Sequence, residues 1–147
     1  MLFDTPPAHF NPAFEAAGAF IEVNGKILML LRQDGKSEGN KWGTPGGKIE
    51  SDDKSLRHTI AREVMEETAI DILPEKFRLV KTFYVRYPGY DFIYHVFHSH
   101  LAEIPVLDIN FSEHKEAVWV NPAEALKLAL VRDEYGCILA CYPSAGA

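Results

Sequence analysis

The segment GGKIESDDKSLRHTIAREVMEE, residues 46–67, ends with three glutamates close together, Glu63, Glu66 and Glu67. Their spacing of i, i+3 and i+4 places them on one side of a helix. On a helical wheel begun at Leu56, Glu67 falls between the apolar positions of Leu56 and Ile60. A helix that only presented charge to water would keep this carboxylate on its far side. The pattern therefore predicts that this glutamate is at least half-buried.

Half-buried carboxylates at this spacing need a counter-charge. At an effective dielectric near 20, two of them about 5 Å apart repel by roughly 3 kcal/mol, which favours protonation or a bound cation. Oxygen ligands without histidine or thiolate select a hard ion such as Mg²⁺ or Mn²⁺ over zinc, and Mg²⁺ commonly bridges to phosphates. The alternative is a surface helix with an Arg62–Glu66 ion pair, because exposed like charges cost only a few tenths of a kcal/mol.

The same segment resembles the Nudix box, whose pattern is G-x5-E-x7-R-E-U-x-E-E-x-G-U, with U a bulky aliphatic residue. REVMEE at residues 62–67 matches the central part of this pattern, and GGKIE at residues 46–50 fits its beginning. The resemblance implies an α/β fold, the Nudix-type α/β/α sandwich with a mixed β-sheet. It also implies a metal-dependent pyrophosphohydrolase, in which water attacks a nucleoside diphosphate linked to another group.

The resemblance also implies roles for individual residues. The expected ligands of Mg²⁺ or Mn²⁺ are the carboxylates of Glu63, Glu66 and Glu67 and the carbonyl oxygen of Gly46. Arg62 would orient a glutamate through a charge-assisted hydrogen bond, which its rigid guanidinium fork suits. Arg32 matches a position where the family often has a phosphate-binding arginine, and Gly47 is expected to contact the substrate. For Arg32 the alternative is a solvent anchor at the end of a strand.

Two positions depart from the box. The turn ESDDK carries one extra residue, so that Asp53 by the forward count, or Lys54 by the backward count, stands where the family has glutamate. Glu50, Asp52 or Asp53 is expected to take its place. Ala69 stands where glycine is usual; if that position is a left-handed helix cap, alanine costs roughly 1 kcal/mol.

A further carboxylate is expected from a loop beyond the sheet, as a metal ligand or general base. The segment NFSEHKEAVWV offers Glu113 and Glu116, and Asp108 lies upstream. Glu113 is favoured because a glutamate-histidine pair shortly before a tryptophan-containing strand is common in the family. Together with Arg62 and the box glutamates, Glu113 completes the predicted catalytic set. A solvated loop acid is the alternative.

The remaining pattern predicts one α/β domain over residues 1–147, with strands and helices in the order ββ-α-ββ-β-α. Asn24-Gly25 marks a type I′ hairpin, and Pro88-Gly89 marks a type II turn in a second hairpin. The predicted elements are strands at 17–23 and 26–33, a helix at about 55–68, strands at 77–87 and 91–101, a short buried strand at 117–120, a helix over 121–130 with Asn121 as its cap, and a last helix over 132–142.

Two other groups of residues invite a functional interpretation. His95, His98 and His100 lie on one predicted strand. His98 and His100 share a face of this strand, and two histidines at this spacing can chelate zinc. No third ligand follows at a known spacing, so ordinary strand residues are favoured. Aromatic residues could stack on a base, although aromatics in strands more often fill a core; they are Trp42, Phe83, Tyr84, Tyr87 and Tyr90.

Composition narrows the classes of partner. With 21 acidic and 15 basic residues the chain carries a formal charge of -6, which argues against duplex nucleic acid. Its start, MLFDTPPAHF, is not a signal peptide, and no stretch approaches the roughly 18 apolar residues of a membrane span. Cys137 and Cys141 are expected to be reduced, in a cytoplasmic protein. The resemblance also allows a homodimer.

The expected partner is a small-molecule nucleotide. Nucleoside triphosphates, including oxidised ones, rank slightly ahead of nucleotide sugars and ADP-ribose, with dinucleoside polyphosphates behind. A Nudix-fold module that binds a nucleotide without cleaving it is the alternative function, although such modules often lose box carboxylates. A structural domain without a metal is a third interpretation.

Overall fold

The sheet at the centre of the computed structural model, which describes residues 1–147, contains eight strands. The strands are β1 Leu2–Phe3, β2 Pro12–Val23, β3 Lys26–Arg32, β4 Trp42–Gly43, β5 Gly46–Lys48, β6 Arg78–Tyr87, β7 Tyr90–His100 and β8 His114–Val120. The α-helices are α1 Leu56–Thr68, α2 Pro122–Ala125 and α3 Glu134–Cys141, and short 3₁₀ helices span Pro74–Lys76 and Pro143–Gly146. None of these helices has the length and apolar character of a membrane span.

Both predicted hairpins are confirmed. Asn24 and Gly25 have φ values of 51° and 77°, the positive angles that a type I′ turn requires, and they join β2 to β3. Gly89 has a φ of 90° and follows Pro88 in the turn between β6 and β7. These turns set the register of the two hairpins, because each is built from residues that tolerate its backbone angles.

Strand β2 connects the parts of the sheet. It runs parallel to β7 along one edge, whereas all the other strand pairs are antiparallel, so the sheet is mixed as predicted. Its other edge is shared between two partners: Ala16–Gly18 pairs with β5, and the last two residues pair with β3. The glycine pair of the predicted box therefore lies beside the first half of β2.

The side chains of the central strands point alternately to the two faces of the sheet, and each face carries its own hydrophobic core. The face toward α1 receives Ala17, Ala19 and Ile21 of β2 and Leu28 and Leu30 of β3. The opposite face receives Phe20, Ile27 and Met29, which pack with residues of α2 and α3. This arrangement is the predicted α/β/α sandwich.

The prediction of a helix over 121–130 is wrong in length, because the observed helix is much shorter. Asn121 caps it as expected, its side chain accepting a hydrogen bond of 2.9 Å from Glu124 N, but α2 ends at Ala125. The chain then turns to pair with β4: Ala129 O accepts from Trp42 N at 2.8 Å, and Trp42 O accepts from Val131 N at 2.9 Å. Backbone pairing with a distant strand thus ends the helix.

The predicted strand at 117–120 is longer and less buried than expected. β8 begins at His114, pairs only with β3, and residues 117–120 are half-buried. The last helix is confirmed as α3, with Cys137 buried, Cys141 half-buried and both thiols free.

Candidate active site

Helix α1 carries the three glutamates and is fixed at both ends. Ser55 caps the start, its side chain accepting a hydrogen bond of 3.3 Å from His58 N. Ala69 ends the helix with a φ of 63°, and its N–H donates to Met65 O at 2.9 Å. Ala69 is therefore in the left-handed conformation expected of a cap glycine. The completely buried side chains of Ile60 and Val64 hold the helix against the sheet.

Glu67 is buried, as the helical wheel predicted, with only 5% of the residue exposed. Its Oε2 accepts a hydrogen bond of 3.0 Å from Gly46 N, which joins the end of α1 to the glycine pair. Burial, with a smaller contribution from the nearby carboxylates of Glu63 and Glu113, raises the pKa of Glu67 to about 9. A bound cation would remove the cost of ionising this group.

The other two box glutamates differ in exposure. The Glu63 side chain is 13% exposed, and burial raises its pKa. It lies directly against Gly47, where an added Cβ would meet the Glu63 carboxyl carbon at 2.4 Å, so that a larger residue at position 47 would displace this carboxyl group. Glu66 is on the surface, with 53% of its side chain exposed. The cluster therefore extends from the core to solvent.

Arg62 is held by the residue that replaces the missing box glutamate. Its Nε and Nη2 donate hydrogen bonds of 2.9 Å to the two carboxylate oxygens of Asp53. Asp53 also accepts hydrogen bonds of 2.9 Å from Thr59 Oγ1 and from Glu50 N. Hydrogen bonding to Arg62 holds the pKa of Asp53 well below its usual range. Of the three candidate acids, Asp53 fills the role.

Arg62 also contacts the glutamates that it was expected to orient. Its Nη1 donates to Glu63 Oε1 at 2.8 Å and lies 3.3 Å from Glu66 Oε2. Glu50 is 3.5 Å from the same nitrogen, whereas Asp52 and Lys54 are exposed. The extra residue in the turn is thus accommodated without loss of the arginine's support.

Substituting Asp53 with asparagine is expected to destabilise the protein by about 2 kcal/mol at neutral pH, because Arg62 loses a charge-assisted pair of hydrogen bonds. The folded pKa of Asp53 is lowered, so this stability is present above the unfolded pKa of about 3.9 and is lost as the pH falls below it. Urea unfolding at several pH values measures the difference. Asp52→Asn, at an exposed neighbouring position, is the matched control and should change little.

A difference between Asp53→Asn and wild type that stayed constant down to about pH 2 would contradict the assignment of the effect to a carboxylate charge.

The loop before β8 brings Glu113 to the end of α1. Two backbone hydrogen bonds of 3.0 Å tie this loop to the helix, from Asn110 N to Glu67 O and from Asp108 N to Thr68 O. Glu113 N then donates to Asn110 O at 3.0 Å in a tight turn. The Asp108 residue is exposed and contributes its backbone to the tie.

Glu113 meets Glu67 together with a residue that the sequence interpretation overlooked. One ligand atom each from Glu67, Glu113 and His114 lie within 4.8 Å of one another. Glu116 is exposed on β8, opposite Leu31 of β3, and is not in this group. The only signal for His114 was its place directly after Glu113.

Arg32 lies at the end of β3, in register with His114 of β8. Its Nε donates to Ser37 O at 2.8 Å. Burial lowers the pKa of His114, and the positive charge of Arg32 lowers it further. The same charge opposes the rise in the pKa of Glu67. Arg32 is thus near the carboxylate cluster, where an anionic group could also be bound.

The strand histidines form no comparable group. His95 shares hydrogen bonds of 2.9 Å with Glu15 and Thr82, and His98 shares one of 3.0 Å with Glu22. His100 is exposed. These contacts favour ordinary strand residues over a zinc site, as expected.

A cavity of about 140 Å³ lies on the opposite face of the sheet, beside α3. Its lining includes Tyr87, Phe92, Tyr94 and Glu134. Glu134 is buried, which raises its pKa, and its Oε1 accepts a hydrogen bond of 2.8 Å from Thr44 N. Because Thr44 lies two residues before Gly46, the loop TPGG connects the cavity with the glutamate cluster.

The aromatic residues that the sequence analysis considered lie in the core, at the surface and at the cavity. Phe83 is buried in the core, and Trp42 packs partly against it. Tyr84 is half-buried, whereas Tyr90 is 45% exposed. Tyr87 lines the cavity, with the Arg132 guanidinium 4.7 Å from its ring centroid.

Comparison with known proteins assigns the family. The model of the NUDIX domain family matches residues 13–140. The chain belongs to the Nudix family. An Escherichia coli K12 relative, a CTP pyrophosphohydrolase, is 30% identical over 118 residues, which cover 79% of this chain and 82% of the relative. The present protein is accordingly a Nudix hydrolase that acts on pyrophosphate bonds.

Solved structures support the same assignment of this Nudix hydrolase. The solution structure of the E. coli ORF135 protein is 27% identical, with a TM-score of 0.74 over 95% of this chain and 94% of that one. The NUDIX domain of Shewanella oneidensis NrtR, complexed with ADP ribose, is 20% identical, with a TM-score of 0.76 over 96% and 94% of the two chains. The second likeness establishes the fold alone.

Proposed function

We propose that this Nudix hydrolase cleaves a nucleoside triphosphate by attack of water at the linkage between its α- and β-phosphates, with Mg²⁺ or Mn²⁺ bound, releasing nucleoside monophosphate and pyrophosphate. The main support for the proposal is that Glu63 and Glu113 lie close to the buried Glu67 carboxyl, beside the glycine pair. A buried carboxylate beside two half-buried ones is costly to ionise in a folded protein without a cation to neutralise the group.

The donor set fits a divalent cation. The carboxylates of Glu63, Glu66 and Glu67 and the carbonyl oxygen of Gly46 would hold it, with Glu113 as a further ligand or as the base. Such an ion, when bound, neutralises charge on phosphate oxygens and lowers the pKa of water. The raised pKa of Glu67 supports this, because a cation would displace the proton that burial otherwise favours.

Other residues of the chain position the reacting groups. Arg62, anchored by Asp53, fixes the Glu63 carboxylate through its 2.8 Å hydrogen bond. Gly47, which has no side chain, lets the Glu63 carboxyl group pack directly against the backbone of the glycine pair. Arg32 would bind a phosphate oxygen of the substrate. The Glu113 carboxylate, half-buried at the edge of the cluster, would bind the cation or accept a proton from the attacking water.

The E. coli relative and the cavity beside α3 both support a nucleoside triphosphate as the substrate. The E. coli relative is named for CTP, which supports nucleoside triphosphates as the class and makes CTP the first compound to test. The cavity beside α3 would receive the base, with the TPGG loop leading from it to the carboxylates. Its aromatic lining suits a flat ring, and the Glu134 carboxyl could hydrogen-bond an exocyclic group.

The test is product analysis with Mg²⁺ across a panel: CTP and other nucleoside triphosphates, an oxidised nucleotide, a nucleotide sugar, ADP-ribose, a dinucleoside polyphosphate and a phosphomonoester. We expect nucleoside monophosphate from at least one triphosphate and none of the phosphomonoester hydrolysed, because a monoester has no second phosphate for the cation to bridge. Activity confined to the phosphomonoester, or binding of the triphosphates without cleavage of any of them, would contradict the proposal.

Glu113→Gln is expected to lower kcat more than Glu116→Gln, by at least about tenfold, because only Glu113 reaches the Glu67 cluster. The two residues lie on the same short segment and undergo the same chemical change, so Glu116→Gln controls for general effects on β8. Steady-state kinetics with the preferred substrate measures the difference. A larger loss in Glu116→Gln would transfer the role to that residue.

A further inference from the structure

His114 is buried and lacks a hydrogen-bond partner at one ring nitrogen. Only 4% of the residue is exposed, and its Nδ1 is the one buried side-chain nitrogen or oxygen in the molecule without a partner. Buried polar atoms are nearly always paired, because an unpaired one loses its hydrogen bonds to water without replacement. A histidine kept in this state indicates a missing binding partner.

Two carboxylates of the candidate site lie close to the His114 ring. A ring nitrogen of His114 lies within 4.8 Å of a carboxylate oxygen of both Glu67 and Glu113. Ligands about 2.0–2.3 Å from a common ion stand up to roughly 4.5 Å apart, so small side-chain adjustments would bring all three atoms onto one ion. A nitrogen base between two carboxylates suits a cation.

The backbone around His114 holds this geometry in place. His114 is the first residue of β8 and pairs with Arg32 of β3. Its own N–H donates to Asn110 O at 3.0 Å, in the loop that is tied to Glu67 O. Both the strand and the helix end that present these ligands are therefore joined by hydrogen bonds, which is the rigidity that a metal site needs.

We propose that His114 is a nitrogen ligand to the divalent cation held by Glu67 and Glu113, and that the site binds Mn²⁺ more tightly than Mg²⁺. This rests on the proposed function, which needs a cation at the same carboxylates. Imidazole suits transition-metal ions, whereas Mg²⁺ prefers oxygen ligands and water, so one nitrogen in the set favours Mn²⁺. The oxygen-only ligand set expected from the sequence thus gains a nitrogen.

The test uses metal-depleted full-length protein titrated with Mn²⁺ and, separately, with Mg²⁺. Pulsed EPR of the Mn²⁺-loaded wild type is expected to show coupling to a ¹⁴N nucleus, and labelling the histidines with ¹⁵N should change that coupling. Calorimetry should give a Kd for Mn²⁺ at least about tenfold below that for Mg²⁺. His114→Gln should remove the nitrogen coupling and weaken Mn²⁺ at least about tenfold, with a smaller effect on Mg²⁺.

His100→Gln is the matched control, since His100 is an exposed histidine on β7, and it should leave the coupling and both affinities unchanged. Bound Mn²⁺ without histidine nitrogen coupling in the wild type would overturn the inference, even if His114→Gln failed to fold. Mg²⁺-dependent cleavage of CTP with no such coupling would overturn only the nitrogen ligand. Nitrogen-coupled Mn²⁺ without cleavage of any triphosphate would overturn only the proposed function.

Discussion

Glu67→Gln is expected to lower kcat by at least about two orders of magnitude while the protein stays folded, because loss of a metal-binding carboxylate removes roughly 3 kcal/mol of charge stabilisation from the transition state. Glutamine keeps the shape of the side chain and can still accept the hydrogen bond from Gly46 N. Glu66→Gln, at an exposed position, should lose activity to a similar extent without any effect on folding.

Turnover with saturating Mg²⁺ and substrate measures the loss, and circular dichroism with thermal unfolding checks the fold. Glu103→Gln serves as the control, because Glu103 is an exposed acid on the loop that leads toward β8. Near wild-type turnover in Glu67→Gln would contradict the assignment of the carboxylate cluster as the metal site.

Metal binding is expected to depend steeply on pH. Because burial raises the pKa of Glu67 to about 9, the metal-free protein carries a proton on this carboxyl at neutral pH. A cation that binds there must displace the proton, so the apparent affinity for Mg²⁺ should rise by about tenfold per pH unit between about pH 6 and 8. Calorimetry in buffers with different ionisation enthalpies should detect the release of about one proton.

The same shift fixes the pH dependence of the metal-free protein's stability. The folded pKa of Glu67 is raised above the unfolded value of about 4.3. The stability that protonation of the Glu67 carboxyl gives to the folded state is therefore fully present below the unfolded pKa, and it is lost as the pH rises toward 9. Glu67→Gln should remove this loss and flatten the pH dependence of Mg²⁺ affinity. An equally steep dependence in the variant would assign the displaced proton to another group.

The sequence predicted the parts of the fold that are determined by nearby residues. The Asn24-Gly25 and Pro88-Gly89 turns follow from the backbone angles that these residues tolerate. The burial of Glu67 followed from its place between Leu56 and Ile60 on one helix. Each of these features depends on contacts only a few positions apart along the chain, or on one repeating helical period.

Features that depend on distant parts of the chain were missed or left open. The choice of Asp53 among three acids depends on the shape of the turn before α1, which sets the position of its carboxylate opposite Arg62. The early end of α2 depends on pairing of the following segment with Trp42. His114 joins Glu67 only because β8 pairs with β3 and the preceding loop is tied to α1.

The cavity beside α3 was likewise invisible in the sequence. In the sequence, the position of Glu134 is typical of an exposed acid in the first turn of a helix, where negative charge is common. Its burial and its hydrogen bond to Thr44 N depend on how α3 packs against the loop before the glycine pair. Base specificity would depend on the same long-range packing, which explains why a box motif alone predicts chemistry better than it predicts substrate.

The most direct test of the central claim is one measurement on metal-depleted protein: the release of nucleoside monophosphate from the best-cleaved triphosphate of the panel, before and after addition of Mg²⁺ or Mn²⁺. The carboxylate cluster predicts no turnover in the depleted protein, full turnover on addition of the ion, and no recovery in Glu67→Gln at the same ion concentration. Release of nucleoside monophosphate at an undiminished rate in the depleted wild type, or full recovery in Glu67→Gln, would contradict it.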